Sequence, residues 1–158
     1  MNEELAVALA VVERDLRATC VVQPIVREEL DFDDEPLVVL YEADGSGVGV
    51  SVPEGAAAAE QVASLAEQVK DWAVEALAAQ LLPATWPECP DHPASHPLDA
   101  SVAGGVAVWS CPRSRRVVAP IRAISDGFQN IQQDRLDQVR PLPPLSSQDE
   151  IAEMVRWF

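Results

Sequence analysis

Apolar residues change their spacing several times along the chain, and each change marks an element. Leu5, Leu9, Val12 and Leu16 recur at intervals of four, three and four, which stacks them on one face of a helix over 3–17. From Ala18 the pattern turns β-branched. Val21, Val22, Ile25 and Val26 lead to the apolar run LVVLY at 37–41, and Val48, Val50 and Val52 then alternate with small or polar residues. Three strands are predicted near 19–27, 36–43 and 47–52. Asp44-Gly45-Ser46-Gly47 between the last two is a hairpin signal. Cys20, on the first strand, reads as buried filling. The acidic string Asp31, Asp33, Asp34 and Glu35 reads as a solvated loop, since it lacks the glycine and spaced ligands of a calcium loop.

Residues 55–80 carry the strongest helical stripe: Val62, Leu65, Val69, Trp72, Ala73, Ala76 and Leu77. Pro83 ends it. Five prolines within 83–97 predict a stiff non-helical loop. Short strands follow near 98–103 and 106–110, turned by Gly104-Gly105, with a third near 117–121. Phe128, Ile131, Leu136 and Val139 share a broad helical face over 126–139. The stretch Pro141-Leu142-Pro143-Pro144 reads as a linker. Ser147 and Glu150 have capping-box spacing ahead of Ile151, Met154, Val155 and Phe158.

This order predicts an α+β fold with antiparallel strands, a long amphipathic helix, a Pro/Cys/His-rich β-hairpin and a C-terminal helix. The divisions are one domain over 1–140, with the hairpin at 83–121, a linker at 141–146 and a docking helix at 147–158. A chain of 158 residues with 48% hydrophobic residues can bury a core of its own.

Charge changes the picture of partners. Residues 1–99 hold 20 acids and 4 bases, a net of −16, and residues 100–158 hold 6 acids and 7 bases, a net of +1. Phosphates would be repelled by the first part, which argues against nucleic acid. No apolar run approaches the roughly 20 residues of a membrane span. The N-terminus opens on acids without a basic region, unlike a signal peptide. Three cysteines make no disulfide framework, so a reducing cytosol is the simplest home.

Chemistry concentrates in WPECPDHPASHPL at 86–98 and VWSCP at 108–112. Both histidines of the chain and two of its three cysteines lie here, as Cys-x2-His-x3-His-x14-Cys. Two soft sulfurs and two imidazoles suit tetrahedral zinc, so Cys89, His92, His96 and Cys111 are the candidate ligands. Four protein ligands would make the site structural. The alternative is a small cysteine-dependent hydrolase or transferase, with Cys111 as nucleophile, His92 or His96 as base and Asp91 or Asp99 orienting it. No nucleophile motif, phosphate loop, HExxH or GxSxG supports that alternative, and no residue is assigned a catalytic role.

Arg113, Arg115, Arg116 and Arg122 place four bases within ten residues without an acid. They are candidates for contacting an acidic partner, or they meet the chain's own acids. Ile151, Met154, Val155, Trp157 and Phe158 are candidates for partner contact through the last helix.

The segments AEQVKDWAVEAL, WPECPDHPASHPL, GGVAVWSCP and VVAPI resemble a group of uncharacterised small Cys/His-containing proteins of high-GC bacteria. The resemblance covers about a third of the chain. Those proteins carry a glycine near the position of Arg116 and end soon after VAPI, whereas here nearly forty residues follow. The α-β-β-β-α order and the acidity are similar to small secretion-chaperone-like proteins. These readings imply a non-catalytic protein-binding or assembly module, chaperone-like, with a structural zinc site and a protein partner or second copy.

Overall fold

The computed structural model describes residues 1–30 and 36–124. The acidic loop, the helix read over 126–139, the linker 141–146 and the helix 147–158 with Ile151, Met154, Val155, Trp157 and Phe158 lie outside the described residues. Those described form two helices and two three-stranded antiparallel sheets, a mixed α+β arrangement.

Helix α1 spans Glu3–Thr19. Asn2 caps it, its side-chain oxygen accepting the Leu5 N–H at 2.7 Å, which satisfies one of the donors a first turn leaves open. The apolar stripe read from spacing is the buried face: Leu5, Ala8, Leu9, Val12 and Leu16. Asp15 is buried on the same face.

Sequence spacing starts a strand at 19, but the helix runs to Thr19 and β1 spans Ile25–Leu30. The reason is local capping. The Thr19 hydroxyl donates to the Asp15 carbonyl at 2.7 Å, and the Gln23 amide donates to the carbonyls of Leu16 and Cys20 at 3.0 and 2.8 Å. These bonds satisfy acceptors the last turn leaves open. Cys20 is therefore the C-terminal cap of α1, buried as expected but not on a strand. Val22 packs into the core from the irregular stretch before β1.

Strand β2 spans Pro36–Tyr41 and β3 spans Gly47–Val50, in the order β1-β2-β3. Asp44 tightens the β2–β3 turn by accepting the Ser46 N–H at 2.8 Å. Gly47 lies opposite Tyr41, where a Cβ would come within 2.7 Å of the tyrosine ring, so a side chain at this position would have to displace that ring. Helix α2, Ala58–Ala79, packs on α1, β3 and the second sheet. Alanines 66, 73 and 76 on its buried face let those neighbours approach closely. None of these helices is long and apolar enough to cross a membrane.

The second sheet contains β4, Asp99–Ala103, β5, Val106–Ser110, and β6, Val117–Pro120, in that order. Gly104 and Gly105 take φ of 59° and 77°, the left-handed pair a two-residue hairpin needs. Buried Lys70 of α2 pairs with Glu67 and reaches Asp99 at 3.6 Å, while Glu67 also accepts the Ala100 N–H. The helix is thereby tied to β4.

A buried acid joins α1 to this sheet. Asp15 accepts the Trp109 indole N–H at 2.9 Å, the Arg122 N–H at 2.7 Å and the Ile124 N–H at 3.2 Å. Burial pushes its carboxyl above the usual aspartate range, and these donors only partly offset that. Asp15→Ala would leave two buried donors and the part-buried Arg122 N–H without an acceptor, and should destabilise the fold by about 3–5 kcal/mol in urea unfolding. Asp15→Asn, which keeps one acceptor oxygen, should fall between. A carboxyl raised on folding favours the folded state most below the ordinary aspartate pKa, and loses part of that contribution as pH rises through its folded value. The stability advantage of wild type over Asp15→Asn should therefore shrink as pH rises from about 4 through the raised folded value.

Candidate metal centre

The proline-rich loop folds as two successive turns. The His92 N–H donates to the Cys89 carbonyl at 3.2 Å, and the Ser95 N–H to the His92 carbonyl at 3.2 Å. Glu88 holds the second turn by accepting the Ala94 N–H at 2.8 Å. The loop closes where Glu88 bridges Pro97 and the Leu98 N–H donates to the Pro87 carbonyl at 2.8 Å. Cys89, His92 and His96 thus lie on one small knuckle, in keeping with the bar Pro93 sets against a helix there.

Hairpin register delivers the fourth residue. Ala103 pairs with Val106 and Asp99 with Ser110, so Cys111 emerges one step beyond the ladder, level with Leu98. A tight turn follows. The Arg115 N–H donates to the Cys111 carbonyl at 2.8 Å, and the Cys111 N–H to the Arg116 carbonyl at 2.9 Å. It aims the Ser114 N–H at Cys111 Sγ, 3.4 Å away.

One ligand atom from each of Cys89, His92, His96 and Cys111 lies within 4.8 Å of all the others. His92 Nδ1 is 3.5 Å from Cys89 Sγ and 3.4 Å from Cys111 Sγ. His96 Nε2 is 3.9 Å from Cys111 Sγ. His96 Nδ1 meets the Pro97 carbonyl at 2.8 Å, which puts the proton on Nδ1 and leaves Nε2 with a free lone pair. Both sulfurs are fully buried and both rings half-buried. This Cys2His2 cluster could hold a metal ion.

The two thiols are not equivalent. Burial works to raise Cys111, but hydrogen bonds from Ser114 and the Arg113 N–H outweigh it and bring the thiol to about 6. Burial pushes Cys89 up, against N–H donors from Asp91 and His92, and the nearby Cys111 sulfur adds to the rise. Cys111 is thus the more readily ionised of the two thiols.

The same geometry serves the cysteine-enzyme alternative poorly. The Cys111 sulfur is fully buried, and clefts of about 530 and 440 Å³ are lined by other residues. Asp91, read as an orienter, accepts Nε and Nη2 of Arg116 at 2.9 and 2.6 Å. Asp99 faces Lys70.

The arginines divide. Arg113, Arg115 and Arg116 are exposed in the Cys111 turn, whereas Arg122 follows β6 and gives its backbone N–H to Asp15. Arg116 meets one of the chain's own acids, the second of the two readings its charge allowed. Two contributors escaped the sequence reading. Ser114 bonds Cys111 through both side chain and backbone, and nothing in its sequence context marks it. Asp15 stands three residues after Val12 on the apolar stripe, a signal that was legible.

Residues 114–156 match the family model of the HAMP domain. This likeness covers less than a third of the chain and begins after all four Cys/His residues. It takes in β6 and Ile124, and the remainder lies outside the described residues. No curated protein and no solved structure matches the chain.

The Asp91–Arg116 pair clasps the knuckle to the Cys111 turn from the exposed side. Arg116→Ala should cost little in chemical denaturation, as solvent-exposed pairs do. A large loss would show that the clasp, not the cluster, holds the two loops together.

Proposed function

We propose that this protein is a non-catalytic adaptor, in which a structural zinc ion locks the Pro/Cys/His hairpin and the HAMP-like region couples the folded body to a protein partner. The observation that carries the metal half is the convergence of four ligand atoms within 4.8 Å. Zinc takes sulfur at about 2.3 Å and imidazole nitrogen at about 2.0–2.1 Å, which at tetrahedral angles separates S and N by about 3.5 Å. The S···N distances of 3.4, 3.5 and 3.9 Å need only small adjustment. Thiolate and imidazole together favour zinc over magnesium or calcium. Four protein ligands leave no open position for a substrate, which fits a structural role.

The resemblance to Cys/His proteins of high-GC bacteria supports the same reading, because its motifs WPECPDHPASHPL and GGVAVWSCP contain all four ligands. The adaptor half draws on the HAMP likeness, since HAMP domains pass signals through protein–protein contacts. It draws also on the order α1-β1-β2-β3-α2, shared with the chaperone-like proteins. The −16 charge over residues 1–99 favours a protein partner or second copy over nucleic acid. Two thiols kept for a metal suit a reducing compartment such as the cytosol.

Metal analysis of protein purified without a histidine tag should find one zinc per chain. Cys89→Ser should abolish stoichiometric metal and lower the thermal midpoint, and a chelator should lower the wild-type midpoint towards that of the variant. Hydrogen exchange should rise mainly over 86–112, because the helices have their own core. Absence of stoichiometric zinc, with Cys89→Ser as stable as wild type whether or not chelator is present, would remove the site.

A further inference from the structure

A cleft of about 530 Å³ opens between the C-terminal ends of α1 and α2 and the start of the proline-rich loop. Of its thirteen lining residues only Glu88 is charged. Val21 and Leu82 line it yet are 75% and 38% exposed, and the adjoining Leu81 is 94% exposed. Val21 and Leu82 thus stand partly in water on the wall of a mostly apolar hollow, with exposed Leu81 next in sequence, a pattern that marks an interaction surface.

The backbone at Leu81 strengthens the point. Past Gln80 the Leu82 N–H donates to the Leu77 carbonyl at 3.0 Å and the Leu81 N–H to the Ala78 carbonyl at 3.0 Å. That is the Schellman ending, whose left-handed position is ordinarily a glycine. Leu81 occupies it with φ of 57°. A leucine there carries backbone strain and gains no burial within the described fold.

We propose that this cleft is the docking groove for the chain's own segment 147–158, entered by Ile151, Met154, Val155 and Phe158. Their spacing of i, i+3, i+4 and i+7 makes the stripe that an amphipathic helix lays into an apolar groove. The point of departure favours an intramolecular occupant. Ile124 lines the cleft and is the last described residue, so the 34 residues that follow set out from the groove itself. The 22 intervening residues, 125–146, tether 147–158 covalently to the groove, which raises its effective concentration there. The HAMP likeness over 114–156 joins the anchored strand β6, Ile124 and most of the docking segment in one stretch. The inference goes beyond the adaptor reading, and it rests on the cleft, not on the metal.

Hydrogen exchange on the full chain tests it, with wild type, Leu81→Gly and Val155→Asp compared. Wild-type amides over 147–158 should exchange at least about tenfold slower than an unstructured chain, whatever the protein concentration. Leu81→Gly removes the rim side chain together with its strain. It should raise or preserve the thermal midpoint while cutting that protection several-fold. Val155→Asp should cut the protection likewise and speed exchange at 20–22 and 82. Unprotected 147–158 amides would overturn the proposal, including where protection appears only on adding another protein. So would protection unchanged in Leu81→Gly, or protection lost on dilution, which would make a second copy the occupant. Zinc content measured on the same samples separates the two readings: protection retained without zinc leaves the docking and ends the metal site.

Discussion

One turn of α1 holds the two halves of the molecule in register. Asp15 and Thr19 stand four residues apart, and each accepts an indole N–H. Trp109 donates to Asp15 at 2.9 Å and Trp86 to Thr19 at 3.0 Å. The two indoles meet edge to face, with centroids 5.8 Å apart. Trp86 precedes Cys89 by three residues and Trp109 precedes Cys111 by two. Both cysteine-bearing segments are therefore located by hydrogen bonds to one helix before any ion is considered. A buried carboxylate is costly unless well bonded, and here its oxygens also fix the backbone at Arg122 and Ile124.

This arrangement changes what a metal would contribute. In a bare zinc finger the ion must order its own ligands, and its binding energy is folding energy. Here hairpin register, the turns of the proline-rich loop and the two anchored tryptophans already order them. Ser114 and its neighbours lower the Cys111 thiol to about 6, so less of the binding energy goes into releasing a proton. More of it remains to hold the knuckle and hairpin together.

What could be read beforehand follows from how local each cause is. The stripe of α1 and the turn of the second hairpin depend on spacing and on Gly104-Gly105, and both were legible. So was the Cys/His set, because rare residues cluster within one short stretch. The boundary of α1 was not, since it depends on Gln23 reaching back to the carbonyls of Leu16 and Cys20. Strand β1 carried little periodic signal because only Val26 of its six residues is more than slightly buried. The distance from Cys111 to the loop needed the observed pairing of Asp99 with Ser110. The role of Asp15 was open to inference from its place on the stripe, but its partners lie 94 to 109 residues away.

The metal cluster and the HAMP-like region share a piece of backbone. The turn that presents Cys111 closes through the Arg116 carbonyl, and β6 begins at the next residue. β6 pairs with β5 across an irregularity at Trp109 and Ser110, and the Ile121 N–H returns to the Ala107 carbonyl at 2.9 Å. Arg122 and Ile124 then bond to Asp15. From sulfur to the end of the described chain every step is a backbone ladder, a turn or a buried hydrogen bond. A displacement of the chain at Ile124 would have to strain either the Asp15 bonds or the β5–β6 ladder, and both lead to Cys111. The fold thus ties the backbone at Ile124, through β6 and the Asp15 bonds, to the turn that carries Cys111.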